Sequence, residues 1–302
     1  MTNLSALDSP SDRAAPAIPE QQFSDDARRR QLQGYLDHGL RSVSGWLDKR
    51  SARIIATLGA YQSAQGIRGA LGEIGVHHGK LFILLDLMRT ADETSFAVDL
   101  FDEQDQNVDQ SGLGDYARLL HNLETFSGGM SGVKIVKGSS LALQASELLA
   151  LCGPARMFSV DGGHTAACAS NDVALAEQAT IDEGIVIVDD YFNPMWPDVS
   201  IGVSQHIFQN GSQLRPFAIS PNKLYLARVP CHDRYRAVLR ERARRYFLKT
   251  SEMYDHAVDI YGYDPSSSWR RRVINYVKKS PIGGPAHALY RRYRAGAKGD
   301  RT

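Results

Sequence analysis

Three carboxylates stand where apolar runs end: Asp161 in RMFSVDGGH, then Asp189 and Asp190 in GIVIVDDYFNPMWPDV. A charged residue directly after Ile185-Val186-Ile187-Val188 falls where a buried strand emerges at the rim of a sheet. In an open α/β sheet that carboxyl rim is where ligands bind. Upstream, GALGEIGVHHGK supplies a Gly-rich turn that lets a ligand approach the backbone. A cofactor turn and an acidic cluster on one rim suggest an enzyme.

The turn is Glu73-Ile74-Gly75-Val76-His77-His78-Gly79, between an apolar strand and a helix. Gly75 and Gly79 can adopt backbone conformations that a Cβ forbids, and the helix N-terminus offers free N–H groups to an anion. The pattern is not GxGxxG, because the glycines are four apart. The next strand, SFAVDLFD, ends at Asp99, 24 residues beyond Gly75. An acid there commonly accepts hydrogen bonds from ribose hydroxyls; a turn cap is the competing reading. Gly138 and Ser139 close the third strand and suit the edge of an adenine. His77 and His78 read as loop or packing residues.

Around these residues the pattern is βαβ. Strands are expected at 69–76, 95–101, 133–137, 156–160 and 184–189, followed by an antiparallel pair at 215–219 and 223–229. Helices are expected at 80–89, 114–126, 141–150, 166–178 and 199–209. Strands separated by helices of this length make a doubly wound, mostly parallel, seven-stranded Rossmann-like α/β sheet with an antiparallel edge. Four regions follow: a disordered segment 1–27, a helical lead-in 28–65, a cofactor-binding domain 66–230 and a basic helical extension 231–302.

The 302 residues are 43% hydrophobic and 23% charged, as expected of a soluble protein. The charge is uneven. From Cys231 onward there are 17 Lys+Arg against 7 Asp+Glu, while the preceding residues carry 18 against 27. Arg270-Arg271-Arg272 beside Trp269 has the look of an interfacial helix that touches a membrane surface. A solvated or oligomer-forming helix is the plainer reading, and no nucleic-acid reader motif is present. Three scattered cysteines argue against a disulfide framework and fit a cytoplasmic location. Neither a signal peptide nor a run of about 20 apolar residues is seen.

Glu73-x-Gly75-x-x-x-Gly79, Asp99 and Gly138-Ser139 resemble the class I S-adenosylmethionine-dependent methyltransferases. VDGGH and DDYFNPMWPDV are similar to the branch that methylates sugars and macrolide or polysaccharide natural products. The resemblance spans roughly residues 66–230. It implies S-adenosylmethionine against Glu73, Gly75, Gly79, Asp99, Gly138 and Ser139. It also implies magnesium held by Asp161, Asp189 and Asp190, consistent with the ion's preference for oxygen ligands. Such an ion eases the deprotonation of a sugar hydroxyl.

Neighbouring strand residues face opposite ways, so Asp189 and Asp190 both reach one ion only if the chain turns there. Asp161 and His164 are the candidate catalytic residues, with His164 as general base. The branch frequently has Asp where this chain has Gly163, which removes one alternative base. The expected reaction is O-methylation of a sugar-bearing or glycan acceptor. A cofactor-binding protein without turnover, in a glycan-assembly complex, and a dinucleotide-dependent dehydrogenase are the alternatives.

Overall fold

The computed structural model describes residues 20–209 and 211–262. Its strands are β1 (Ala70–Ile74), β2 (Ser95–Asp99), β3 (Val133–Lys137), β4 (Ala155–Val160), β5 (Thr180–Asp189), β6 (Leu214–Ser220), β7 (Lys223–Arg228), β8 (Phe247–Met253) and β9 (His256–Tyr261). They form one sheet in the order β3-β2-β1-β4-β5-β7-β6-β9-β8. Pairings from β3 to β5 are parallel, and β7 runs antiparallel to both its neighbours. Those seven strands are the doubly wound sheet with an antiparallel edge that the sequence implies.

The central strands β1, β2, β4, β5 and β7 are buried on both faces over most of their length, as a sheet covered on two sides requires. Leu71, Ala97, Met157, Ile185 and Ile187 face one core. That core is closed by α1 (Glu20–Asp37), α2 (Lys49–Ala64), α3 (Lys80–Met88), α4 (Tyr116–Ser127) and α8 (Val229–Arg242). Phe96, Val98, Phe158, Val186 and Val188 face the other, under α5 (Ala145–Cys152), α6 (Ala166–Ala179) and α7 (Pro197–Gln209). One-residue alternation on each strand therefore builds two cores at once.

Two expectations are corrected. Helix α1 starts at Glu20, inside the segment read as disordered, because EQQFSDDARRR lacks an apolar stripe yet contains no helix breaker. Beyond α8 the chain is not helical throughout: FLKTSEM and HAVDIY form a hairpin that extends the sheet from β6. Its two-residue loop, Tyr254-Asp255, has φ of 55° and 59°, the backbone that matches the twist of paired strands. Val258 and Tyr261 are buried, and the buried Asp259 carboxylate accepts from the guanidinium groups of Arg236 and Arg240 on α8. Part of the basic character is thus spent on one internal acid. The Arg270–Arg272 segment and the rest of 263–302 lie outside the described residues, as do residues 1–19. Among the described residues no helix is long and apolar enough to cross a membrane.

Candidate active site

The carboxyl ends of β1, β2, β4 and β5 open on a cleft of about 650 Å³. Gly75, Asp99, Gly138, Ser139, Asp161, His164, Asp189 and Asp190 all lie on its wall. Glu73 and Gly79 do not: Glu73 is buried under the cleft floor, and Gly79 starts α3 with φ 87°. The glycine turn and the acid-bearing loops meet directly. The Asp161 N–H donates to the Ile74 carbonyl at 2.9 Å, and a Cβ built on Gly75 (φ 79°) would sit 1.6 Å from the Asp161 carbonyl oxygen. Gly75→Ala therefore combines a left-handed backbone with overpacking. It should lower stability by at least about 2 kcal/mol, read from urea unfolding. A wild-type midpoint would show that the two loops separate more readily than their contact implies.

Asp99 is held by the backbone. Its Oδ2 accepts the His77 N–H at 2.8 Å, and its Oδ1 accepts the Phe101 N–H at 2.7 Å. Burial raises its pKa, and these hydrogen bonds oppose the rise. A carboxylate so fixed at the strand end, with lone pairs left over, can take hydroxyl donors from the cleft. His77 and His78 stack on each other at 3.7 Å, with Trp46 beside His77 at 5.4 Å.

Asp190 has φ 57°, so the chain does turn after β5 and the adjacent acids part company. Asp161, His164 and Asp190 bring one ligand atom each within 4.8 Å of one another. Asp189, expected at the same ion, is committed elsewhere. Its Oδ2 accepts from Lys223 Nζ, and its Oδ1 accepts from Asn222 Nδ2 and the Asp190 N–H. The Lys223 ammonium also lies 3.9 Å from Asp161 Oδ2. Burial alone would lower the Lys223 pKa, but Asp189, Asp161 and Glu73 outweigh it and raise it. Burial pushes Glu73 and Asp161 well above the carboxylate range, and the Asp189 charge adds to both shifts. One Glu73 oxygen has no hydrogen-bond partner among the described residues.

His164 sits between two carboxylates. Nδ1 is 2.7 Å from Asp109 Oδ2, and Nε2 is 3.1 Å from Asp190 Oδ2. Its ring stacks on Trp196 at 4.4 Å and 15°. Trp196 therefore wedges the histidine in place. Burial would lower the His164 pKa, but the hydrogen bonds to Asp190 and Asp109 outweigh it and raise it. Neither Asp109 nor Lys223 was singled out by sequence reasoning. Asp109 is one of four acids in the loop DEQDQNVD, with no spacing that marks it. Lys223 carried a weak signal: a lysine opening an apolar strand, KLYLA, that pairs with the acid-bearing strand.

Residues 73–191 match the family model described as a methyltransferase domain. Over those residues the chain is similar to methyltransferase domains. Among solved structures, the O-methyltransferase NovP is similar at 18% identity, covering 59% of this chain and 80% of that one, with a TM-score of 0.49. The calicheamicin methyltransferase CalS11 is similar at 16% identity over 74% of this chain and 99% of that one, with a TM-score of 0.46. MycE, solved in complex with Mg, SAH and mycinamycin VI, shares 13% identity over 66% of this chain and 53% of that one, with a TM-score of 0.43. Comparison with curated protein sequences gives no match.

Proposed function

We propose that this protein is an S-adenosylmethionine-dependent methyltransferase that acts on a hydroxyl of a sugar-bearing acceptor, with His164 as the base and a magnesium ion against Asp161 and Asp190. The observation that carries this reading is the convergence of Asp161, His164 and Asp190 on the wall of the cleft that also holds Gly75 and Asp99. Two carboxylates, one of them raised in pKa by burial and a second acid, form a donor set that fits a hard cation. Bound there, the ion would supply charge that favours the deprotonated hydroxyl. S-adenosylmethionine, when bound, supplies a methyl group activated on a sulfonium.

The remaining work belongs to the chain's own residues. Gly75 permits the close approach of the turn to the Asp161 loop, which sets cofactor and acceptor sites side by side. The fixed Asp99 carboxylate orients the ribose, and Gly138-Ser139 borders the adenine. His164, held by Asp109 and Trp196, removes the acceptor proton at Nε2. Exposed Trp46 and Phe192 on the rim offer aromatic faces to a sugar ring.

Thermal shift and a labelled-methyl assay test the reading together. S-adenosylhomocysteine at about 100 Kd should stabilise the protein by about 2.7 kcal/mol, while NAD leaves it unchanged. Label should reach hydroxyl-bearing glycan acceptors, cease with EDTA and return with Mg²⁺. Turnover that persists in EDTA would remove the ion; stabilisation by NAD alone would overturn the reading.

A further inference from the structure

The cleft changes character along its wall. Asp161, His164 and Asp190 meet there with most of each side chain covered. Trp46, Val108 and Phe192 line the same cleft yet are 76%, 56% and 57% exposed, and Met195, 74% exposed, stands between the lining residues Pro194 and Trp196. Leu141 is exposed on the wall too, but it follows Gly138-Ser139 and goes with the adenine end. The other four come from beside the reacting groups. Phe192 and Met195 follow Asp190 on the loop after β5, and a Cβ built on Gly163, next to His164, would lie 3.2 Å from Val108 Cγ2. Their exposure is not the accident of a slack loop. The Asn193 and Trp196 N–H groups donate to the Asp190 and Asn193 carbonyls at 3.0 Å, and the Met195 N–H donates to Asn193 Oδ1 at 3.0 Å. Trp46 follows Gly45, whose carbonyl accepts from Lys80 Nζ at 2.8 Å. Large apolar side chains held in water around a cleft mark a surface that a ligand covers.

We propose that the acceptor is an amphipathic glycoside: its sugar hydroxyl enters among Asp161, His164 and Asp190, and an apolar aglycone lies against Trp46, Val108, Phe192 and Met195. This rests on the reading of the cleft as a methyl-transfer site. The aromatic faces of Trp46 and Phe192 serve a sugar ring or an aglycone equally well. Val108 and Met195 decide the matter, because such side chains gain by shedding water against another apolar group and offer nothing to a hydroxyl. A protein partner seated permanently there would shut the cleft that cofactor and acceptor must enter, so the occupant is one that leaves with each turnover. Charge removes two further candidates. Asp102, Glu103 and Asp105 are exposed on the loop that carries Val108. They repel a nucleotide diphosphate in the aglycone position, and they repel an anionic bilayer.

Binding of methyl and hexyl β-D-glucopyranoside to the full-length protein with S-adenosylhomocysteine tests this, followed by NMR at the Trp46 indole N–H. The Trp46→Phe spectrum identifies that signal among the three tryptophans. Each buried methylene tightens binding about fourfold. Hexyl glucoside should therefore bind at least about tenfold more tightly than methyl glucoside and shift the Trp46 signal. Val108→Asn combined with Phe192→Asn should erase most of that preference while S-adenosylhomocysteine still binds. Both side chains are exposed, so the fold does not depend on them. Equal affinity for the two glucosides, no binding of either, or a preference that survives the double substitution would overturn the proposal. So would a Trp46 signal that responds to phosphatidylglycerol vesicles and not to hexyl glucoside, which would make these residues a membrane contact. A protein that bound no S-adenosylhomocysteine would instead overturn the methyltransferase reading, and the acceptor class with it.

Discussion

Replacing His164 with Ala is expected to lower methyl transfer about 10²- to 10⁴-fold, with S-adenosylhomocysteine affinity near the wild-type value. The ring lies on the cleft wall next to Asp161 and Asp190 but is not among the groups that hold the cofactor turn. The pH dependence follows from its two carboxylate neighbours. Burial would depress its pKa, and Asp190 and Asp109 together raise it above the ordinary value. The neutral base accumulates as pH rises through the His164 titration, so kcat should climb with it. In His164→Ala this limb should disappear.

Stability moves the other way. A group whose folded pKa is raised contributes stability that is fully present below its unfolded pKa and is lost as pH rises through the folded value. Wild type minus His164→Ala unfolding free energy in the metal-free protein should therefore shrink on the alkaline side. An identical pH–rate profile in the variant would assign the base elsewhere.

Replacing Lys223 with Met is expected to destabilise the fold by about 3–5 kcal/mol, the cost of leaving a buried charge without its partner. Lys223 is almost wholly buried, bonded to Asp189, and close to Asp161 at 3.9 Å. Its loss leaves Asp189 and Asp161 on the cleft wall, and Glu73 behind them, without the ammonium that offsets their charge. Neutralising Asp189 in the same chain, as Asp189→Asn with Lys223→Met, should recover a large part of the loss. A double-mutant cycle from urea unfolding measures that coupling. If the two substitutions simply added, the ammonium would not be what holds these acids together.

The sheet was legible because Ile185–Val188 and the other core strands are continuous apolar runs broken by helices of regular length. Such runs admit little besides a sheet covered on both faces. The hairpin β8–β9 was not legible. Its residues are mixed polar and apolar, it lies at an edge, and its burial depends on Arg236 and Arg240 reaching Asp259 from α8. Sequence reasoning singled out Asp161 and Asp190 because each follows an apolar run at the rim, and His164 because it lies three residues past Asp161 on the same loop. It could not separate Asp190 from Asp189, since their side-chain contacts divide on one backbone angle, the left-handed φ of Asp190. Asp109 was invisible for a related reason: a loop acid acquires its role from where the loop lands.

The glycine turn and the acid-bearing loops are proposed to serve one reaction in one cleft. The most direct measurement is a crystal structure of the full chain with S-adenosylhomocysteine. The expected density has the ribose hydroxyls on Asp99 and the sulfur on the side of the cleft where Asp161, His164 and Asp190 meet. A cofactor bound with its sulfur turned away from those three residues would contradict it.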